Sequence, residues 1–333
     1  MPLSASNPLA PPSKNSDVAV RFLHHFGLLS ADDAQNASSS GEVAVRQIAE
    51  PLLRHTPNDD PRLLALGAVA SAFSTLPYEN LTRIIRYHEQ RLSPFRTPEI
   101  VVSDHIADHS GGTCFSLTST LLHIVRWLGF EAEPLLADRR YGANTHSALL
   151  VRIDGEPHLL DPGFLINRPV PLTAITAADG IELPTDFNRV VLRREGEHAL
   201  QLLTRNNQQG ETYRLTFKTR PADSAEFLNA WQSSFETDIL HKPVLTKVAD
   251  GRQWFLNARR LQVRELGNSS KRQLSDEELL AEIVARFGIR RGIVQQALTI
   301  LRRQGDLPGT PDQRAAHFVR SARQADATER SHG

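Results

Sequence analysis

The sequence predicts an α+β fold, helical in its first third, antiparallel β in its middle and mixed at its end. Three observations carry this reading. Apolar residues recur at helical spacing up to Gly129. Short strand-like runs follow, bracketed by turn pairs such as Asp154-Gly155. Helical spacing then returns from Ala225.

In chain order, residues 1–16 are rich in Ser, Pro and Ala and read as a flexible arm. Val18–Leu29 reads as a helix with Val18, Phe22, Leu23 and Phe26 near one face, and Asp32–Gly41 as a loop. Pro61 suits the first turn of a helix after Asp59 and Asp60, with Leu63, Leu64, Leu66, Val69 and Phe73 as its apolar residues. Leu81–Gln90 forms a further helix after the turn Leu76-Pro77-Tyr78-Glu79-Asn80. Thr113 caps another, in which Leu117, Leu121, Ile124, Val125 and Leu128 recur, and Gly129 ends it.

Ser147–Ile153 and His158–Leu160 flank Asp154-Gly155 as a hairpin. Val190–Leu192, Ala199–Leu203 and Thr212–Phe217 continue an antiparallel sheet or barrel. Ala225–Ser234 is helical, and Gln253–Leu256 and Leu261–Arg264 are strand-like. Ser275-Asp276-Glu277-Glu278 is a capping box before Leu279–Phe287, with Leu274 as staple, and Ile293–Arg303 follows. The implied units are an arm (1–16), a helical bundle with Cys114 (17–129), a β unit with His146 and Asp161 (130–220), a mixed unit (221–304) and a flexible tail (305–333).

Composition narrows the function. Lys+Arg and Asp+Glu both number 38, so no global field draws the chain to nucleic acid or to an acidic membrane. A single cysteine excludes an internal disulfide. The first residues lack the apolar run of a signal peptide and no stretch has membrane-spanning length, so the expected location is the cytoplasm.

That cysteine is the first candidate for chemistry. In His109-Ser110-Gly111-Gly112-Thr113-Cys114, two glycines precede a helix and Cys114 falls in its first turn. Unpaired N–H groups and the positive end of the helix dipole favour a thiolate there, the form that attacks a carbonyl. The plainer reading, a small buried hydrophobe, competes evenly on local sequence alone.

A nucleophilic thiol needs a histidine to take its proton and a carboxylate to orient that histidine. The segment from Thr145 to Asp161 supplies both. If Asp154-Gly155 is a two-residue turn, paired residues have numbers summing to 309, so Asp161 opposes Ala148. His146 then lies on the same face as Asp161, and a one-residue slip would separate them. An Asp among Leu159, Leu160, Pro162 and Phe164 also needs a buried partner.

These residues resemble the arylamine N-acetyltransferases, which carry R-G-G-x-C-F-E, then T-H-x-x-L-x-V, then D-x-G-F-G. Here they read Ser110-Gly111-Gly112-Thr113-Cys114-Phe115-Ser116, Thr145-His146, and Asp161-Pro162-Gly163-Phe164-Leu165. Leu76-Pro77-Tyr78-Glu79-Asn80-Leu81 is similar to the family's P-F-E-N-L, and order and spacing agree from about Arg21 to Ile289. The resemblance implies an N-terminal helical bundle, a central antiparallel β-barrel and a C-terminal α/β lid around a cysteine-protease-like core. It implies acyl transfer from acetyl-CoA or another acyl-CoA, as co-substrate, through a Cys114 thioester to an arylamine or hydrazine nitrogen. His146 would activate the thiol, Asp161 would orient His146, and Tyr78, Thr145, Gly163 and Phe164 would contact substrate. It implies no bound cofactor or metal. Ser110 and Ser116 replace an oppositely charged pair, which suggests a hydroxyl arrangement in place of an ionic one. Leu165 and Pro162 would reshape the acceptor pocket.

Other readings use the same residues. An amide synthase, transglutaminase-like enzyme or hydrolase could carry the same triad, and so could a retired, inactive member. His105 and His109, flanked by Asp104 and Asp108, could bind a metal, against a favoured solvated loop. Leu279–Phe287 and Ile293–Arg303, with Arg286, Arg290, Arg291, Arg302 and Arg303, have the cadence of a helix-turn-helix, against a favoured lid helix with a solvated arginine face.

Overall fold

Side-chain caps mark three helix starts. Asp60 caps the helix Pro61–Phe73 by accepting from Arg62 N–H at 2.8 Å, with Pro61 in its first turn. Asp223 and Ser275 each close a capping box, with Glu226 and Glu278. The computed structural model describes residues 7–13, 16–30, 41–90, 95–162, 166–177, 180–185, 187–206, 210–236, 238–265 and 268–307. The expected loop at 32–41 and tail at 305–333 fall largely outside these residues.

The first third contains α1 (Asp17–His25), α2 (Gly41–Leu53), α3 (Pro61–Phe73), α4 (Leu81–Ile85), α5 (Pro98–Asp108) and α6 (Cys114–Trp127). Two of these helices, α2 and α5, escaped sequence reading. The helix α2 shows only Ala44, Val45, Ile48 and Ala49 buried, a thin apolar stripe. Residues 7–13, read as a flexible arm, are instead anchored on α6. Leu9 is buried, Ser119 Oγ donates to the Pro8 carbonyl at 2.6 Å, and Arg126 Nη1 donates to that of Leu9 at 3.0 Å.

The middle third is one antiparallel sheet of eight strands: β2 (Glu131–Arg139), β3 (Gly142–Ile153), β4 (Glu156–Asp161), β5 (Ile166–Pro171), β6 (Ile181–Pro184), β7 (Arg189–Glu195), β8 (Ala199–Asn206) and β9 (Gly210–Lys218). Its order is β5-β4-β3-β2-β9-β8-β7-β6, so it curls as a half-barrel with edges at β5 and β6. The hairpin register is the expected one: Leu149 opposes Leu160 and Leu150 opposes Leu159, both pairs summing to 309. Alternation divides β3 between two cores. Leu149, Val151 and Ile153 join the helices, and Ala148 and Leu150 fill the curl of the sheet.

The last third adds α7 (Ser224–Ser233), β10 (Val244–Ala249), β11 (Arg252–Asn257), β12 (Arg260–Glu265), β13 (Asn268–Gln273), α8 (Asp276–Glu282) and α9 (Arg291–Gln304). Its five-stranded sheet begins with a strand from far upstream, β1 (Tyr78–Glu79), beside β10. Leu81, Ile84 and Ile85 therefore pack in the lid's core with Leu245, Leu256 and Phe287, although sequence order groups them with the bundle. Asn80 fastens this crossing. Its Nδ2 donates to the Lys242 and Ile239 carbonyls, and its Oδ1 accepts from Val244 N–H.

Three of the five arginines behind the helix-turn-helix reading are engaged with carboxylates. Arg290 pairs with Asp108 at 2.7 Å, Arg286 with Glu282 at 3.3 Å and Arg302 with Asp276 at 3.3 Å. The apolar face of α9 is buried through Val294, Ala297, Leu298 and Leu301. No helix among the described residues is long and apolar enough to cross a membrane.

Candidate active site

The loop before α6 is held by the strand at Pro77–Glu79. Glu79 N–H donates to the Gly112 carbonyl at 3.0 Å, and Gly112 N–H to that of Pro77 at 3.3 Å. A Cβ on Gly111 would lie 1.7 Å from the Pro77 oxygen, so only glycine permits this approach. Thr113 takes the N-cap position and Cys114 opens the helix. One turn later, Thr118 Oγ1 donates to the Ser147 carbonyl at 3.1 Å and accepts from Ser147 Oγ at 3.0 Å, which clamps α6 to the strand that carries His146.

His146 and Asp161 meet as the register requires. His146 Nε2 lies 2.6 Å from Asp161 Oδ2, and both side chains are buried. The other ring nitrogen, Nδ1, accepts from Arg139 Nη2 at 3.1 Å. A guanidinium can only donate, so the neutral ring carries its proton on Nε2 and leaves Nδ1 basic. Burial pushes the Cys114 thiol up, but a hydrogen bond with His146 and the charges of His146, Arg139 and Arg83 together hold it below the ordinary thiol value. Burial depresses His146, yet Asp161 and the bond to Cys114 raise it on balance. Both directions favour proton transfer from Cys114 to His146, which breaks the Arg139 contact to Nδ1. The Cys114 sulfur also lies 4.0 Å from the Thr145 carbonyl.

Cys114 opens into a cavity of about 1050 Å³ lined by bundle, half-barrel and lid. Tyr78 and Thr145 line it. Burial and the neighbouring Cys114 raise the Tyr78 hydroxyl far above the ordinary phenol value, so it stays neutral. Gly163, Phe164 and Leu165 lie outside the described residues. The cavity wall is basic: Arg83, Arg139, Lys218, Arg220, Lys242 and Lys247 line it, against one described carboxylate, Glu226, which pairs with Arg220.

At the motif departures, Ser116 Oγ donates to the Thr113 carbonyl at 3.0 Å, a hydroxyl arrangement of the expected kind. Ser110 and Ser116 are buried, but an ionic pair persists behind the loop. Arg96, from a segment that sequence reading left unassigned, lies 3.5 Å from Glu79 and 2.8 Å from Asp104, and donates to the Gly111 carbonyl at 2.5 Å. Small side chains at 110 and 116 leave room for a guanidinium entering from elsewhere, and Arg96 Nη1 comes within 3.4 Å of a Cβ placed on Gly112.

His105 also departs from its reading as part of a solvated loop. It lies in α5, 8 % exposed, stacked on Phe26 and 2.8 Å from the Ser110 carbonyl. Its work is to hold the loop before the cysteine. No group of three or more metal-ligating side chains occurs among the described residues.

Sequence reading missed Arg83, Arg96 and Arg139. Arg83 alone left a signal, a charge inside the apolar run Leu81-Thr82-Arg83-Ile84-Ile85.

A family model described as N-acetyltransferase matches residues 63–295. An arylamine N-acetyltransferase of Mycolicibacterium smegmatis is 28% identical over 250 residues, covering 70% of this chain and 87% of that protein. A proansamycin X synthase of Amycolatopsis mediterranei is 26% identical over 194 residues, covering 54% and 73%. Among solved structures, the arylamine N-acetyltransferase of Mycobacterium abscessus superposes with a TM-score of 0.62 at 21% identity, covering 76% of this chain and 94% of that one. That of Mycobacterium marinum in complex with CoA gives 0.60 at 20%, covering 76% and 99%. With the motifs in order and the match spanning most of its length, this acyltransferase chain belongs to the arylamine N-acetyltransferase family.

Proposed function

We propose that the enzyme moves an acetyl or other acyl group from acyl-coenzyme A to an arylamine or hydrazine nitrogen, with Cys114, His146 and Asp161 as its catalytic residues. The observation that carries this is the Asp161–His146 bond of 2.6 Å, which places the ring proton on Nε2 and makes Nδ1, once Arg139 yields it, the base for a thiol held low by its surroundings.

His146 Nδ1 takes the Cys114 proton. The thiolate attacks the thioester carbonyl, and the C–S bond to coenzyme A breaks. The departing sulfur takes the proton from the imidazolium, and free coenzyme A leaves. The amine nitrogen then attacks the Cys114 thioester, a C–N bond forms, and the C–S bond to Cys114 breaks. His146 carries the amine proton to the cysteine sulfur, restoring the resting pair. Thioester exchange is nearly balanced in energy, so the protein's task is positioning and stabilising the oxyanion. The N–H groups at the start of α6 are its candidate donors.

The basic cavity supports a coenzyme A donor. The outer cations Lys218 and Arg220, with side chains 43% and 69% exposed, suit its phosphates. In the M. marinum relative the bound molecule is CoA. Steady-state rates measured against acetyl-CoA at several fixed arylamine concentrations test the scheme. Parallel double-reciprocal lines are expected. Intersecting lines, which mean that both substrates bind before any group moves, refute it.

A further inference from the structure

Arg83 is 5 % exposed, lines the cavity and lies deep in it beside the nucleophile, among the groups that act on the Cys114 charge. Its Nη2 donates to Ser234 Oγ at 3.1 Å, its guanidinium lies 3.7 Å over the Phe235 ring, and its Nε has no hydrogen-bond partner. No carboxylate pairs with it among the described residues. Burial lowers its pKa to about 10, although Tyr78 and Cys114 oppose that shift. A buried cation without a counter-ion costs several kcal/mol.

Two plainer roles fall short. The phosphates of coenzyme A sit a full pantetheine arm away from the reacting sulfur, so the exposed cations at the mouth can meet them and Arg83 cannot. Thiolate stabilisation accounts for Arg83 only until Cys114 is acylated. The sulfur is then neutral, and Arg83 faces the cavity without an anion. Arg139 stands in the same wall, next to a bulge in β2 that shifts the register between Ala137 and Arg139. It presents a second guanidinium there, bonded to Tyr141 Oη at 2.9 Å and to His146. A forked guanidinium matches a carboxylate in shape as well as charge.

We propose that Arg83, together with Arg139, forms a carboxylate subsite beside the nucleophile, so that the acyl chain or the amine handled by this enzyme carries a carboxylate. This rests on Cys114 as the acylated residue and names the substrate class for that reaction. The carboxylate replaces the missing counter-ion and holds the reacting group over the sulfur.

The test pairs each charged substrate with a neutral counterpart. In the donor arm, formation of the Cys114 adduct from succinyl-CoA is compared with that from butyryl-CoA by intact mass over time. In the acceptor arm, kcat/KM for 4-aminobenzoate is compared with that for methyl 4-aminobenzoate, with acetyl-CoA as donor. One arm is expected to favour the carboxylate by about tenfold or more, the worth of one charge-assisted hydrogen bond, and that arm identifies the source. Arg83→Met abolishes the preference and Arg83→Lys restores part of it, while the neutral substrate changes far less. Equal handling of charged and neutral substrates by the wild type in both arms overturns the proposal, whether or not the variants fold. An Arg83→Met loss that is the same for charged and neutral substrates also overturns it. If no donor, acetyl-CoA included, leaves an adduct on Cys114, the underlying acyl-enzyme reading fails and the subsite with it. An acetyl adduct without any charge preference removes the subsite alone.

Discussion

Two arginines are buried within reach of the nucleophile loop, and they are provided for in opposite ways. Arg96 sits behind the loop with Glu79 and Asp104 as counter-ions, and with Thr82 Oγ1 and the Gly111 carbonyl as acceptors. Arg83 sits in front, in the cavity wall, with a serine hydroxyl and an aromatic face. Removing a guanidinium from water is costly unless opposite charge and hydrogen bonds replace the water. Arg96 has that replacement and Glu79, 0 % exposed, depends on it. Arg83 has no carboxylate partner among the described residues, and its position accords with what enters the cavity. The first arginine belongs to the scaffold and the second to the substrate.

The largest expected effect lies in neither arginine but in the base, His146. His146→Ala should slow acyl transfer roughly a thousandfold, the scale of general base catalysis. The same change should raise the midpoint of the pH profile for Cys114 alkylation by iodoacetamide. In the wild type that midpoint lies below the ordinary thiol value of about 8.5, because thiolate persists to lower pH than in a free cysteine. A midpoint unmoved by the variant would mean that the thiol is not coupled to the ring.

The contrast between the arginines is tested next. Arg96→Met leaves Glu79 charged and buried, and should cost about 3–5 kcal/mol in urea unfolding. Adding Glu79→Gln should recover part of that loss. Arg83→Met removes a buried cation that has no carboxylate partner among the described residues, and should leave stability unchanged or raise it. Equal losses for the two variants would erase the distinction.

A smaller effect concerns the loop itself. Burial holds His105 at about 4, against a bond from its ring to the Ser110 carbonyl. The unfolded ring takes a proton near 6.5 and the folded ring does not until about pH 4, so stability present at neutral pH is lost as pH falls between those values. From pH 7 to pH 5 this group should account for about 2 kcal/mol, and His105→Phe should show that much less loss in urea titrations at the two values. The smallest effect is remote from the site. Asp60→Ala removes the cap of α3 and should cost about 1 kcal/mol, with acyl transfer unchanged.

The hairpin was legible because strand alternation and a two-residue turn leave one register in which His146 and Asp161 share a face. The start of α6 was legible because glycines, a cap and an apolar stripe coincide in Gly111-Gly112-Thr113-Cys114. The helix α2 was not, since its stripe is thin, two of its four buried residues are alanines, and Pro51 interrupts it. Nor could β1 be placed in the lid, because two residues at Tyr78–Glu79 carry no trace of a partner at Val244–Ala249. The arginines escaped for a related reason. Arg96 meets Glu79 and Asp104 only through the turn of the chain, and nothing beside Arg139 in sequence points to His146.

The central claim is that the Cys114 sulfur carries the acyl group between donor and amine. Intact mass of the protein after brief incubation with acetyl-CoA, without amine, tests it most directly. The account predicts one added acetyl group on the wild type, its removal when an arylamine is supplied, and no addition to Cys114→Ala. An unmodified wild type that still acetylates an arylamine, or an equal adduct on Cys114→Ala, would contradict it.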